Sequence, residues 1–147
     1  MTEQMTIHLE IITPERLALS EDVDFVVAPG VDGQIGILPR HAPLLTRLGT
    51  GMLRVKKNGK EQFFAVASGF LEVSPGSKVS VFAETAEDAA EINVERARLA
   101  AEKAKERLAN PKDLTAEEVA QLEASLARAI MRVKVSGWRK LPPASHN

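Results

Sequence analysis

Glycine and phenylalanine all but disappear from the chain after residue 85, and no other feature restricts the possible folds as much. Eight of nine Gly and all five Phe precede that point; fifteen of twenty Ala lie from Ala83 onward, and no glycine stands between Glu84 and Gly137. Glycine and aromatic residues suit turns and strands, whereas alanine mixed with Glu, Lys, Arg and Leu suits helix. The expected class is α+β, with an all-β part over residues 1–86, a helical part over 87–136 and a frayed tail over 137–147. At 147 residues the chain has room for one domain plus an appendage and not for a large multidomain enzyme.

In the first part apolar residues alternate. Met5, Ile7, Leu9 and Ile11 are expected on one face with Thr6, His8 and Glu10 on the other, and Val23, Phe25 and Val27 repeat the pattern. Asn58-Gly59 between two apolar runs signals a hairpin, because a type I′ turn needs positive φ at both central residues. Pro75-Gly76 marks a second turn. Short strands punctuated this way, with no helix of crossover length among them, point to a sandwich or a barrel. In the second part Val94, Ala97, Ala101, Ala104 and Leu108 recur at helical spacing, as do Val119, Leu122, Leu126, Ala129, Ile130 and Val133. Thr115-Ala116-Glu117-Glu118 has the form of a capping box. Asn110 to Asp113 breaks the chain between the two patterns, so an antiparallel helical hairpin is expected, joined seam to seam.

Several chemistries lack their residues. The net charge of −1 offers no field for a phosphate backbone, which argues against nucleic acid. Without cysteine there is no disulfide, thiolate metal site or thiol nucleophile. No export signal and no apolar run of membrane-spanning length is read in the chain. His8, His41 and His146 have no ligand spacing, so no metal is expected. Val66-Ala67-Ser68-Gly69 is not a nucleophile elbow, and no phosphate-binding G-x-x-x-x-G-K-[ST] string occurs. A freestanding enzyme is not expected.

Asp32-Gly33-Gln34-Ile35-Gly36-Ile37-Leu38-Pro39-Arg40-His41-Ala42-Pro43-Leu44-Leu45 resembles the G-x-x-G-x-L-P-x-H-x-P-L signature of the epsilon subunit family of F-type ATP synthases. Ser68 to Val73 and Val79 to Ala86 are similar to its G-F-x-E-V and V-x-V-x-A-x-x-A segments. Ile92 to Ala97 resembles its I-D-x-x-R-A helix start, and Leu126 to Val135 its basic final helix. The likeness is collinear over residues ~5 to 135, which makes it more specific than any single motif.

The resemblance implies a β-sandwich followed by a regulatory helical hairpin, in a non-catalytic central-stalk subunit. Such a subunit couples ion-driven rotation to ATP synthesis and inhibits ATP hydrolysis. The implied partners are the gamma subunit, the c-ring and, transiently, the alpha and beta subunits. It would meet the membrane only through the complex, at the cytoplasmic face of a bacterial plasma membrane. By resemblance, gamma and c-ring contact falls to a loop with Gly33, Gln34, Gly36, Leu38, Pro39, Arg40, His41 and Pro43; the alternative is that its glycines and prolines only shape a tight connection. No cofactor is required, but regulatory ATP is implied at Glu87, Ile92, Asn93, Arg96, Ala97, Arg128 and Arg132. Here Asn93 stands where the motif has Asp, and Lys103 where nucleotide-binding relatives carry Arg. Asn93 would serve equally as a helix N-cap, and the arginines as a solvated face. Arg128, Arg132 and Lys134 are the implied inhibitory contact to an acidic loop of beta. The three-alanine seam of the first helix predicts a loosely held hairpin able to open. A second reading from another class is a stand-alone ligand-binding sandwich whose helical hairpin dimerises.

Overall fold

The alternation at the N-terminus becomes strand β1 (Ile7–Ile12), with Ile7, Leu9 and Ile11 fully buried and His8 and Glu10 turned outward. A computed structural model describes residues 5–138. Seven more strands follow: β2 (Leu17–Val23), β3 (Phe25–Gly30), β4 (Gly33–Ile37), β5 (Leu44–Leu48), β6 (Gly51–Lys57), β7 (Lys60–Ser74) and β8 (Lys78–Asp88). The order is β2-β1-β8-β7-β5-β3-β4, with β6 paired to both β3 and β7. The first half of β7 pairs with β6 and its second half with β5, so one long strand serves both layers and the sheet folds over itself as a sandwich. Asn58 (φ 50°) and Gly59 (φ 79°) close the β6–β7 hairpin with the positive angles their turn requires.

One expected face is corrected. Val23, Phe25 and Val27 do not share a face: the chain bends at Asp24, so Val23, Val26 and Ala28 are buried while Phe25 and Val27 are only half-buried. A one-residue break reverses the parity of everything after it. The core is aliphatic: of the five phenylalanines only Phe64 is buried, and Phe70 and Phe82, paired across β7 and β8, are 50% and 43% exposed.

A 3-10 turn (Ala89–Glu91) leads from β8 to helix α1 (Val94–Ala109), and a second turn (Pro111–Asp113) leads to helix α2 (Ala116–Trp138). The Asn93 side chain accepts from the Arg96 N–H at 3.0 Å, capping α1. Ala97, Ala101 and Ala104 are buried along the helix seam, with Ala129 buried on α2. Ile130, expected in that seam, is 46% exposed. The helix continues through Gly137 to Trp138 because its last turns have a support of their own. Val135, fully buried, packs with Ala65, Ala89 and Ile92 against Met52, Phe63 and Met131, a small cluster separate from the sandwich core. The rest of the expected tail, 139–147, lies outside the described residues.

The capping box forms as read: Thr115 N–H donates to Glu118 Oε1 at 3.0 Å, and Glu118 N–H to Thr115 Oγ1 at 3.1 Å. The backbone hydrogen bond from Thr115, then its side-chain bond, lower the Glu118 pKa. The contribution of a depressed carboxylate is present above its ordinary value and lost as pH falls through the lowered one. The Thr115 amide resonance is therefore expected to titrate with a midpoint below the ordinary glutamate range, and Glu118→Gln to abolish that titration.

Candidate functional site

Where α2 lies over the sandwich, the two enclose a cleft of about 450 Å³. Its floor is Ala65 to Ala67 on β7 and Glu84 to Glu87 on β8, its roof is α2, and its open side carries Thr13 and Arg16 from the β1–β2 connection. Ala86 on β8 points into the sandwich core, so strand alternation turns Glu87 to the opposite face, toward α2. Arg128 and Arg132, one helical turn apart, share the face of α2 that meets it.

Glu87 and Arg132 form a two-pronged ion pair: Arg132 Nη2 donates to Oε2 at 2.9 Å and Nε donates to Oε1. Both side chains are about two-thirds buried, and the hydrogen bonds that Arg132 donates to Glu87 raise the arginine pKa further above its ordinary value. Planar forks matched in this way are among the stronger polar contacts. Arg128 Nη2 donates to Ser125 Oγ at 3.1 Å, and Arg16 Nη2 donates to the Ala86 carbonyl at 3.2 Å.

Of the seven residues associated with ATP, the structure brings Glu87, Arg128 and Arg132 together in this cleft. Asn93 and Arg96 sit at the start of α1, with Asn93 engaged in capping and Arg96 exposed; Ile92 and Ala97 are packing residues. Two of the three implied inhibitory cations, Arg128 and Arg132, are turned into the cleft, whereas Lys134 is exposed. Arg16 was missed by the sequence reading. Its position after Thr13-Pro14, at a turn between two strands, was the only local signal.

The residues associated with gamma and c-ring contact do not form one loop. Gly33, Gln34 and Gly36 belong to β4, and Leu38, Pro39, Arg40, His41 and Pro43 follow it. At ~3.3 Å per residue, Gly33 and Ile37 are roughly 13 Å apart. The second group is firmly built: Arg40, at φ 66°, donates its N–H to Ser77 Oγ at 2.8 Å, tying this loop to the β7–β8 turn. His41 N–H donates to the Leu38 carbonyl at 3.1 Å, and His41 Nδ1 lies 2.7 Å from the Ala42 carbonyl oxygen. Leu38, 59% exposed, leads outward from it.

The model of the ATP synthase, Delta/Epsilon chain, beta-sandwich domain matches residues 6–89, and that of the ATP synthase, Delta/Epsilon chain, long alpha-helix domain matches residues 90–137. The chain is 46% identical over 134 residues to the ATP synthase epsilon chain of Nitratidesulfovibrio vulgaris (strain DP4), covering 91% of this chain and 98% of that one. To the ATP synthase epsilon chain of Desulforamulus reducens it is 49% identical over 131 residues, covering 89% and 97%. A chain in the cryo-EM structure of the Euglena gracilis mitochondrial ATP synthase, OSCP/F1/c-ring, shares the fold with a TM-score of 0.72 at 23% identity, covering 86% of this chain and 78% of that one. The two models thus match consecutive stretches that together span residues 6–137, and the chain belongs to the ATP synthase delta/epsilon chain family.

Proposed function

We propose that this chain is the non-catalytic central-stalk subunit of a bacterial rotary ATP synthase, coupling ion-driven rotation to ATP synthesis and restraining ATP hydrolysis through its C-terminal helices. The observation that carries this reading is the collinear match of both parts to ATP synthase epsilon chains. Its partners are then gamma, the c-ring and, transiently, alpha and beta, on the cytoplasmic face of the plasma membrane. The loop Leu38–Pro43 is a contact suited to gamma and the c-ring, being braced from behind by Ser77. The exposed Phe70 and Phe82 add an apolar surface of the kind that partners cover.

The helical seam that a dimerising hairpin would need is filled within the single chain by Ala97, Ala101, Ala104 and Ala129, which favours the stalk reading over the dimer. The docked α2 also supports a regulated brake. It rests on a small apolar cluster and one ion pair, and docking folds two of its basic residues inward. Residues 93–147 contribute nothing to the eight strands or to their buried core. In the complex, their removal is expected to preserve assembly and raise ATP hydrolysis several-fold; unchanged or lower hydrolysis counts against the brake.

A second role is favoured by the cleft itself. Its volume falls within the usual range for small-molecule sites, and its guanidiniums suit phosphate oxygens. Regulatory ATP held there by Arg128 and Arg132, beside Glu87, would favour the docked hairpin.

A further inference from the structure

One of the three arginines that line the cleft comes from the sandwich and not from the helices. Its backbone is fixed by a tight turn: Arg16 N–H donates to Thr13 Oγ1 at 3.2 Å, and Thr13 N–H donates to the Arg16 carbonyl at 2.9 Å. From there the side chain crosses to β8, where one Nη2 donor engages the Ala86 carbonyl immediately before Glu87. A guanidinium has five donors, so this bond orients the group without exhausting it.

The charges in the cleft are unequally answered. Arg132 is neutralised by Glu87. Among the described residues neither Arg16 nor Arg128 has a carboxylate within ion-pair distance, although Glu15 and Glu84 also line the cleft. Two cations without counter-ions thus border one cavity, one on each side of the boundary between sandwich and helix.

We infer that Arg16 is a phosphate-binding residue acting with Arg128, so that a polyphosphate ligand, the triphosphate of a nucleotide, bridges the sandwich and α2. This rests on the reading of the cleft as a nucleotide site and adds to it a ligand contact outside the helices. Its consequence is mechanical. A ligand gripped by α2 alone could travel with an opened hairpin, whereas one gripped by Arg16 and Arg128 binds well only while α2 is docked. Ligand affinity and docking are then the same equilibrium seen from two sides.

The test uses the full-length chain, with calorimetric titration of ATP and of inorganic tripolyphosphate and hydrogen exchange along α2. Arg16→Ala is expected to weaken ATP about tenfold and Arg16→Lys less, since lysine keeps the charge and loses the fork. Tripolyphosphate should be weakened in parallel, because the contact is to phosphates. Without ligand, exchange in α2 should be the same in Arg16→Ala as in the parent chain; at equal sub-saturating ATP only the parent should show slowed exchange. If the parent chain binds ATP and both Arg16 variants bind it equally well, the inference fails while the nucleotide reading stands. Faster α2 exchange in Arg16→Ala without ligand reduces Arg16 to a structural tie and also overturns it. No heat from the parent chain with either ligand removes the nucleotide reading and this inference together.

Discussion

Gly69→Ala is expected to be the most damaging of the Gly→Ala changes in the chain. A Cβ at position 69 would lie 1.8 Å from the carbonyl oxygen of Phe82 and 2.9 Å from the Ala83 Cα. Both obstacles are backbone, so no side-chain rotation relieves the clash; β7 and β8 must part. Gly69 faces Ala83 on β8 and Leu48 on β5, so a displacement disturbs pairing on both sides of β7. Overpacking of this kind costs on the order of 3 kcal/mol or more. Against a typical total of ~5–15 kcal/mol this lowers the thermal midpoint by roughly 10 °C. Gly49→Ala is the matched control: no atom lies within 4 Å of its Cβ, and the Gly49 N–H bond to the Pro29 carbonyl is kept. It is expected to change stability by less than about 1 kcal/mol, and upward, by restricting the unfolded chain. Equal midpoints for the two variants would show that β7 and β8 yield where the geometry says they cannot.

Position 69 also marks how much of this architecture was legible. The glycine-containing G-F-x-E-V segment was readable as a motif, but the reason for its glycine is a strand pairing that local sequence does not contain. Asn58-Gly59 was readable outright, because the positive φ angles it needs are a property of the two residues themselves. Val23-Asp24-Phe25-Val26-Val27-Ala28 was not: it is apolar in both parities, and only the bend at Asp24 decides which set turns inward. A similar ambiguity misled the reading of α2. Leu126, Ala129, Ile130, Met131, Val133 and Val135 cover most of its circumference, since one flank meets α1 and another the sandwich. Periodicity detects an apolar stripe but not a second partner, so it places Ile130 in the seam and gives Val135 no role. In the cleft, Glu87, Arg128 and Arg132 came from a motif, whereas Arg16 lies 71 residues before Glu87 and only the topology brings them together.

Val135→Asp is expected to release α2 while leaving the sandwich folded. Val135 is fully buried in a latch whose other buried members are Ala65, Ala89 and Ile92, whereas the sandwich core holds eighteen buried residues, none of them on α2. Burying a valine contributes about 1.5–2 kcal/mol; an ionised carboxylate placed there without a partner costs several kcal/mol, more than so small a cluster can supply. Arg132 does not rescue it, because its guanidinium is engaged by Glu87. Amides in the last turns of α2 should therefore exchange at least a hundredfold faster than in the parent chain, with those of β1, β7 and β8 unchanged. Docking favours the neutral acid, which raises the pKa of the introduced carboxyl group in the docked form, so α2 should re-dock as pH falls toward about 5. In the assembled complex the same substitution separates a brake from a passive appendage. Helices that restrain hydrolysis when undocked make Val135→Asp lower ATPase activity, whereas removal of residues 93–147 raises it. Changes of the same sign in the two variants would mean that the helices do not act by opening.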